Sequence, residues 1–257
     1  MMWLILSWVF VHEAAPSENP MISVGPGVLR PFYPPSEKEK EIKLEAFQLQ
    51  QHAVTNAEFL KFIQLNSNWR RDKVSSLFVD STYLSLWETP VSLGGKVSPG
   101  QPVVFVSWFA SKAYCESFGA RLPTHFEWEL AATATESLPD GRSDIKWRQK
   151  ILDWYGKPAP KNLPKVMQNE PNFWGLYDLH GLIWEWVQNF NGILLSNDSR
   201  EAGGFDQARF CGAGAVAASE KEDYPSFIRL SFLSSLEASY TTKNLGFRCA
   251  KDGKKGN

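Results

Sequence analysis

This sequence has almost no net charge and contains little cysteine or histidine. Its 27 Lys and Arg nearly balance its 28 Asp and Glu, so the formal net charge is −1, and no basic stripe indicates nucleic-acid binding. Only three cysteines and four histidines occur in 257 residues. No glycine-rich phosphate loop follows a predicted strand, and no serine-nucleophile motif is present. Nucleotide-dependent and serine-hydrolase chemistries are therefore not indicated.

Long apolar runs are also scarce, and the main one lies at the N-terminus. The residues before His12 read Met-Met-Trp-Leu-Ile-Leu-Ser-Trp-Val-Phe-Val. About ten apolar residues are too few to span a bilayer as a helix, but they suit the apolar region of a secretory signal. No Lys or Arg precedes them, and Ala14-Ala15 is an imperfect cleavage site, so a misassigned start is the alternative. We predict a signal segment at 1–15, export to the periplasm, and no other membrane contact.

Tryptophan, in contrast, is abundant. The chain has 11 Trp beside 17 Phe and 7 Tyr, and 43% of its residues are hydrophobic. Trp is large and carries an N–H group that needs a partner when the ring is buried. This composition favours a compact, loop-rich domain with a packed core. Two interpretations stay open for the rings: core packing, or an aromatic-lined cleft.

Local signals predict short elements separated by long irregular segments. Residues 43–49 alternate as a strand does, and 102–106 is predicted to be a short buried strand. Three helix starts carry capping residues, namely Thr55 with Glu58, Ser107, and Thr124 with Glu127. Residues 135–175 are polar and Pro-rich without clear periodicity. We therefore predict an α+β fold with low regular secondary structure, in a single domain over 16–252 with a polar tail at 253–257.

One carboxylate, Glu185, lies inside the apolar run Leu-Ile-Trp-Glu-Trp-Val. An unpaired buried charge costs on the order of several kcal/mol, so Glu185 needs a partner or solvent. Asp178 lies seven residues upstream, with Gly181 between them. We favour a calcium ion as the partner; hydrogen bonds from Trp N–H or backbone groups are the alternative. Arg248 raises the same question in Leu-Gly-Phe-Arg-Cys-Ala, and we predict that it pairs with a carboxylate or with backbone carbonyls.

Four motifs follow one another along the chain. They are Val54-Thr-Asn-Ala-Glu-Phe59, then Val106-Ser-Trp with Gly119-Ala-Arg-Leu-Pro-Thr-His-Phe-Glu-Trp-Glu-Leu-Ala-Ala132, then Gly175-Leu-Tyr-Asp-Leu-His-Gly-Leu-Ile-Trp-Glu-Trp186, and Asn244-Leu-Gly-Phe-Arg-Cys-Ala250. Their order and content resemble the sulfatase-modifying-factor domain, the family of the formylglycine-generating enzyme, over roughly residues 20 to 252. The resemblance implies that family's variant of the C-type lectin fold. The family also contains members with other chemistries or none, so the fold alone does not fix the function.

The resemblance also implies a ligand set and a disulfide. In the formylglycine-generating enzymes the third motif holds structural calcium, and its positions match Asp178, Gly181, Ile183 and Glu185 here, with the two middle positions contributing carbonyls. The cysteines that match Cys115 and Cys249 are joined in those enzymes. The expected metal of this chain is thus structural Ca²⁺.

Cys211 is the remaining cysteine and the candidate catalytic residue. The enzymes bind Cu(I) through two cysteines spaced C-x4-C, because soft thiolates suit that ion. Here Cys211 is followed by Gly-Ala-Gly-Ala-Val216, so the second thiol position holds Val216, which cannot bind metal. Copper is therefore doubtful as a cofactor. His125 and His180 are interpreted as a solvated residue and a turn residue, rather than as metal ligands.

Two functional hypotheses of different class follow. The first is an exported accessory or maturation factor that oxidises or modifies a partner protein through Cys211, as a formylglycine-generating-oxidase-like oxidoreductase. The second is a non-catalytic, lectin-like binding module that recognises a polypeptide or a small ligand. Both predict a protein or small-molecule partner and no nucleic acid.

Overall fold

Short strands and helices make up the ordered elements of the computed structural model, which describes residues 19–32, 40–191 and 224–253. The strands in these ranges are β1 (Met21–Val24), β2 (Gly27–Leu29), β3 (Ile42–Leu44), β4 (Phe47–Gln50), β5 (Trp184–Glu185), β6 (Leu245–Gly246) and β7 (Ala250–Asp252). The helices are α1 (Asn56–Leu65), α2 (Trp108–Glu116), α3 (His125–Ala132), α4 (Ile145–Tyr155) and α5 (Tyr224–Ser234), with a 3₁₀ turn at Ser67–Trp69. Irregular chain connects them, so the mixed, coil-rich single domain is confirmed.

Three small sheets organise the described chain. β4 lies between β1 and β7 in an antiparallel sheet, in which Leu49 pairs with both Ile22 and Ala250. β2 and β3 form an antiparallel pair. β5 and β6 pair in parallel, with Glu185 opposite Gly246. This last pair places the tryptophan-rich motif directly beside the C-terminal motif.

Capping residues begin three of the helices where the sequence predicts them. The side chains of Thr55 and Thr124 each accept a hydrogen bond from the backbone N–H three residues on. In both cases the carboxylate of the Glu at that position accepts a hydrogen bond from the backbone N–H of the capping threonine. Ser107 caps α2 in the same way, through the N–H of Ala110. Such caps satisfy N–H groups that have no partner within the helix.

Two strand predictions and one loop prediction need correction. Residues 43–49 are split between β3 and β4, and 102–106 forms a single bridge, between Pro102 and Thr55, followed by a bend at Phe105, where φ is +56°. The N–H of Val103 bonds to Val54 and that of Phe105 to Thr242, so no one neighbour runs beside this segment to form a ladder. Within 135–175, helix α4 begins after Asp144, whose carboxylate caps it.

A disulfide ties α2 to the C-terminal motif. Cys115 and Cys249 are joined, with Cα atoms 5.5 Å apart and a sequence separation of 134 residues. Both cysteines are buried in the main core, near Tyr114 and Phe247, whose ring centroids are 5.3 Å apart. The structure thus contains the pairing that the resemblance implies. None of the helices in the described ranges is long and apolar enough to cross a membrane.

Candidate functional site

Glu185 is paired with Arg248 at the centre of the molecule. Both side chains are fully buried. The guanidinium donates from Nε to both carboxylate oxygens, at 3.1 and 2.8 Å, and from Nη2 to Oε1 at 2.8 Å. The indole N–H of Trp128 donates to Oε2 at 2.7 Å. The alternative proposed from the sequence, in which a Trp N–H contacts Glu185, and the predicted pairing of Arg248 are therefore both observed.

Arg248 also joins segments that are far apart in the chain. Its Nη1 donates to the carbonyls of Gln50 and Gln51, both at 3.2 Å, and its Nη2 to the carbonyl of Tyr177 at 2.8 Å. The forked, permanently charged guanidinium suits this combination of a carboxylate and several carbonyls. One side chain thus connects β4, the loop at 177 and β5.

Asp178 lies apart from this ion pair and is held by backbone and amide donors. Its Oδ2 accepts from the N–H of Met167 at 2.6 Å, and its Oδ1 accepts from the side chain of Asn169 at 3.2 Å. Asp178 adopts φ +57°, a left-handed conformation that Asp tolerates better than most residues. The hydrogen bonds fix the loop between 167 and 178.

These contacts do not fit a calcium ion shared by Asp178 and Glu185. Calcium takes six to eight oxygen ligands, but both oxygens of Glu185 already face a guanidinium, whose positive charge repels a second cation. Among the described residues no group of three His, Cys, Asp or Glu side chains is arranged to hold a metal. The four-residue calcium site therefore stays a prediction, and the geometry of Glu185 argues against it.

A cavity of about 220 Å³ lies between α4, the end of α3 and the loop at 169–181. Its wall includes aromatic, charged and small residues, among them Trp147, Trp154, Glu136, Glu170, Lys150 and His180. Asp178 and Gly181 also line it, whereas Ile183 and Glu185 do not. The structure thus separates the four predicted calcium positions into two at the cavity wall and two in the interior.

His180 stands in the cavity wall as a neutral ring. Its Nε2 donates to the carbonyl of Ala132 at 2.9 Å, because a carbonyl can only accept. Burial lowers the pKa of His180 to about 4, which keeps the imidazole uncharged at neutral pH. The remaining nitrogen, Nδ1, is then an acceptor, and it is buried without a hydrogen-bond partner. The edges of Trp128 and Trp147 fix the ring, with centroids 5.7 and 5.8 Å away.

A second buried cation, Arg229, fastens α5 to α3. Its guanidinium lies 3.7 Å from the ring centroid of Trp128, in a cation–π contact. Its Nη1 donates to Nδ1 of His125 at 2.8 Å and lies 3.5 Å from Oε2 of Glu129, while the hydroxyl of Ser226 donates to Oε1 of the same carboxylate. Burial, and then Arg229, lower the pKa of His125 well below its ordinary value. His125 is therefore buried and neutral, and the prediction that it is solvated is wrong.

Some site residues could not be placed from the sequence, and one cannot be placed in the structure. Trp147 and Trp154 lie on α4, which the sequence did not predict; their spacing of seven residues, with Ile151 between them, was the available helical signal. Arg229 had no recognised motif. Cys211, the candidate catalytic residue, lies outside the described residues.

Comparisons with known proteins agree with the fold and the motifs. A protein-family profile described as "Sulfatase-modifying factor enzyme 1-like domain" matches residues 10–253. The serine/threonine-protein kinase pkn1 of Chlamydia pneumoniae is 28% identical over a 223-residue alignment that covers 82% of this chain and 34% of pkn1. The formylglycine-generating enzyme of Streptomyces coelicolor is 28% identical over a 258-residue alignment that covers 82% of this chain and 80% of the enzyme.

Among solved structures, PvdO from Pseudomonas aeruginosa has a similar fold. It superimposes with a TM-score of 0.51 at 17% sequence identity, covering 90% of this chain and 94% of PvdO. This chain therefore spans about a third of the length of pkn1, but most of the length of the Streptomyces enzyme and of PvdO.

Proposed function

Because the chain belongs to the sulfatase-modifying factor enzyme 1-like family, we propose that it is an exported accessory or maturation factor that recognises a partner polypeptide without a two-thiolate copper centre. The name of one relative, formylglycine-generating enzyme, refers to the formation of an amino-acid residue. A polypeptide is therefore the partner that family membership favours for this chain. The C-type lectin-like scaffold would supply the recognition surface.

The disulfide is the observation that carries this proposal. The sequence has three cysteines, and two of them, Cys115 and Cys249, are bonded to each other. Cys211 is the only thiol left in these 257 residues. A linear two-thiolate Cu(I) site needs two free cysteines, so this chain cannot supply one by itself while the disulfide is intact. The loss of that ligand pair favours recognition over copper-dependent oxidation.

Export is the second part of the proposal. Disulfides form and persist in secreted and periplasmic proteins, and they are rare in the reducing cytosol. The Cys115–Cys249 bond is buried in the main core, where it contributes to the folded state. An oxidising compartment such as the periplasm is therefore the location that we propose.

Copper binding tests the proposed lack of a two-thiolate copper centre. The oxidised protein and its Cys211→Ala variant are titrated anaerobically with Cu(I) against a colorimetric Cu(I) chelator, with mass spectrometry to show that the disulfide stays intact. We expect the two titrations to coincide. In a parallel aerobic assay with Cu(I) and a cysteine-containing peptide, we expect no more aldehyde than in the protein-free control. A tight Cu(I) complex that disappears in Cys211→Ala, together with peptide aldehyde, would establish the oxidase instead.

Site-directed crosslinking tests the recognition of a partner polypeptide. A photo-crosslinking amino acid at Glu170, on the rim of the cavity, is expected to capture a discrete polypeptide in cells that express the protein. The same amino acid at Leu65, which is 86% exposed at the end of α1, is the matched control. Equal crosslinking patterns at the two positions would contradict recognition at the cavity.

A further inference from the structure

The cavity between α4 and the loop at 169–181 has a wall that favours an organic cation. Three carboxylates line it, from Glu136, Glu170 and Asp178, against one ammonium, from Lys150. That ammonium is itself paired with Glu136 at 3.2 Å on the exposed rim. With three carboxylates against one ammonium, the wall keeps an excess of negative charge.

Two indole rings give the cavity its aromatic wall. Trp147 and Trp154 are seven residues apart on α4, and a helix brings such positions to the same face. Both rings are held by neighbours: Trp147 meets His180 edge-on, and Trp154 packs against Trp184 with centroids 5.4 Å apart. Trp faces attract ammonium and guanidinium groups more strongly than the other aromatic rings do.

The carboxylates in the cavity wall are hydrogen-bond acceptors. Asp178 has lone pairs beyond those used by Met167 and Asn169, since each carboxylate oxygen can accept two hydrogen bonds. A ligand that donates several hydrogen bonds would satisfy such a wall.

From this combination we propose that the cavity binds the side chain of a lysine or arginine residue of a partner polypeptide. The volume of about 220 Å³ is many times the roughly 10–15 Å³ that holds one water molecule, so the cavity has room for one long side chain. The cationic head would lie among the carboxylates and the stem along the indole rings. This inference rests on the proposed recognition of a polypeptide and names the chemical group that is recognised.

The test compares two peptides that differ only in charge. The tripeptide amide Ac-Gly-Arg-Gly-NH₂ and its citrulline counterpart, in which a neutral urea replaces the guanidinium, are titrated by calorimetry into the full protein. We expect saturable binding of the arginine peptide, and binding of the citrulline peptide at least fivefold weaker. Raising the salt concentration should weaken the binding of the arginine peptide and leave the binding of the citrulline peptide unchanged.

Asp178→Asn is the informative variant, because Asn keeps an acceptor for the Met167 N–H and tolerates the left-handed backbone. This variant should bind the arginine peptide at least fivefold more weakly than wild type does. Glu41→Gln, which removes a carboxylate outside the cavity that pairs with Arg30 at 2.9 Å, should leave binding unchanged. A melting curve for each variant checks that it is folded.

Three outcomes would overturn the proposal: equal affinity for both peptides, equal affinity of wild type and Asp178→Asn, or displacement of the arginine peptide by equimolar calcium. None of them affects the copper titration, which reports on Cys211, or the crosslinking pattern at Glu170. A failure of this inference is therefore distinguishable from a failure of the proposed function.

Discussion

Replacing Arg248 by leucine should be among the most destabilising single changes in the described chain. Leucine is apolar and shorter than arginine, and it provides no donors. The change leaves the carboxylate of Glu185 buried with only the indole N–H of Trp128. It also removes the donors that satisfy the carbonyls of Gln50, Gln51 and Tyr177.

The expected loss is about 3–5 kcal/mol in the free energy of unfolding, the range found when one partner of a buried ion pair is removed. Most of this loss is the cost of the orphaned charge rather than the net strength of the pair. Removing both charges, in Arg248→Leu with Glu185→Leu, should therefore recover part of the loss. Arg248→Lys should fall between wild type and Arg248→Leu, because an ammonium keeps the charge but not the fork of donors.

Urea denaturation followed by tryptophan fluorescence measures these differences, with the disulfide kept oxidised. Arg30→Leu is the matched control, because Arg30 forms an ion pair with Glu41 in which both side chains are largely exposed. Exposed pairs contribute about 0–1 kcal/mol, so the control should unfold nearly as wild type does. If Arg248→Leu differs from wild type by no more than the control does, the central pair does not stabilise the fold and the reasoning is wrong.

Three further predictions concern the disulfide, a buried histidine and calcium. Replacing both Cys115 and Cys249 by alanine should lower the free energy of unfolding by about 2–5 kcal/mol, and reduced wild type should unfold in urea as this variant does. The pKa of His180, about 4 in the folded state, is below the unfolded value of about 6.5; its contribution to stability is thus complete above pH ~6.5 and is lost as the pH falls towards 4. Urea titrations at stepped pH should therefore show that the free energy of unfolding depends less on pH over this range in His180→Phe than in wild type. Equal pH dependence in the two proteins would contradict the neutral, buried ring. EDTA and calcium should leave the melting temperature of wild type unchanged to within about 1 °C, because Glu185 is already paired with a guanidinium; a calcium-dependent rise that is missing in Asp178→Ala would show that the ion binds.

Local chemistry made part of the fold predictable from the sequence. A capping box is complete within four residues, so Thr55 and Thr124 could be recognised without knowledge of the fold. The need of Glu185 and Arg248 for partners also followed from sequence, because each charge stands in an apolar run. That they are each other's partner did not follow, since 63 residues separate them and only the parallel pairing of β5 with β6 brings them together.

Other features depend on contacts that a single sequence does not show. Helix α4 is mostly polar and exposed, and its buried face consists of Ile151 with flanking indole rings, which gives a weak periodic signal. The strand predicted at 102–106 failed because its hydrogen bonds go to two different segments. The burial of His125 could not be seen from its own segment, because its hydrogen-bond partner Arg229 lies 104 positions away.

The position of Arg248 in the chain has a consequence for the order of folding during synthesis. The segment 245–252 supplies β6, one half of the central ion pair, one half of the disulfide and the strand β7 that completes the sheet on β4. A ribosome makes this segment after all the parts that it joins, and long-range contacts form only after the entropy of closing a large loop has been overcome. Until then, Gln50, Cys115 and Glu185 lack the contacts that this segment supplies. The growing chain must therefore be kept from aggregating, and the bond at Cys115 must form after, and not during, the emergence of the earlier motifs.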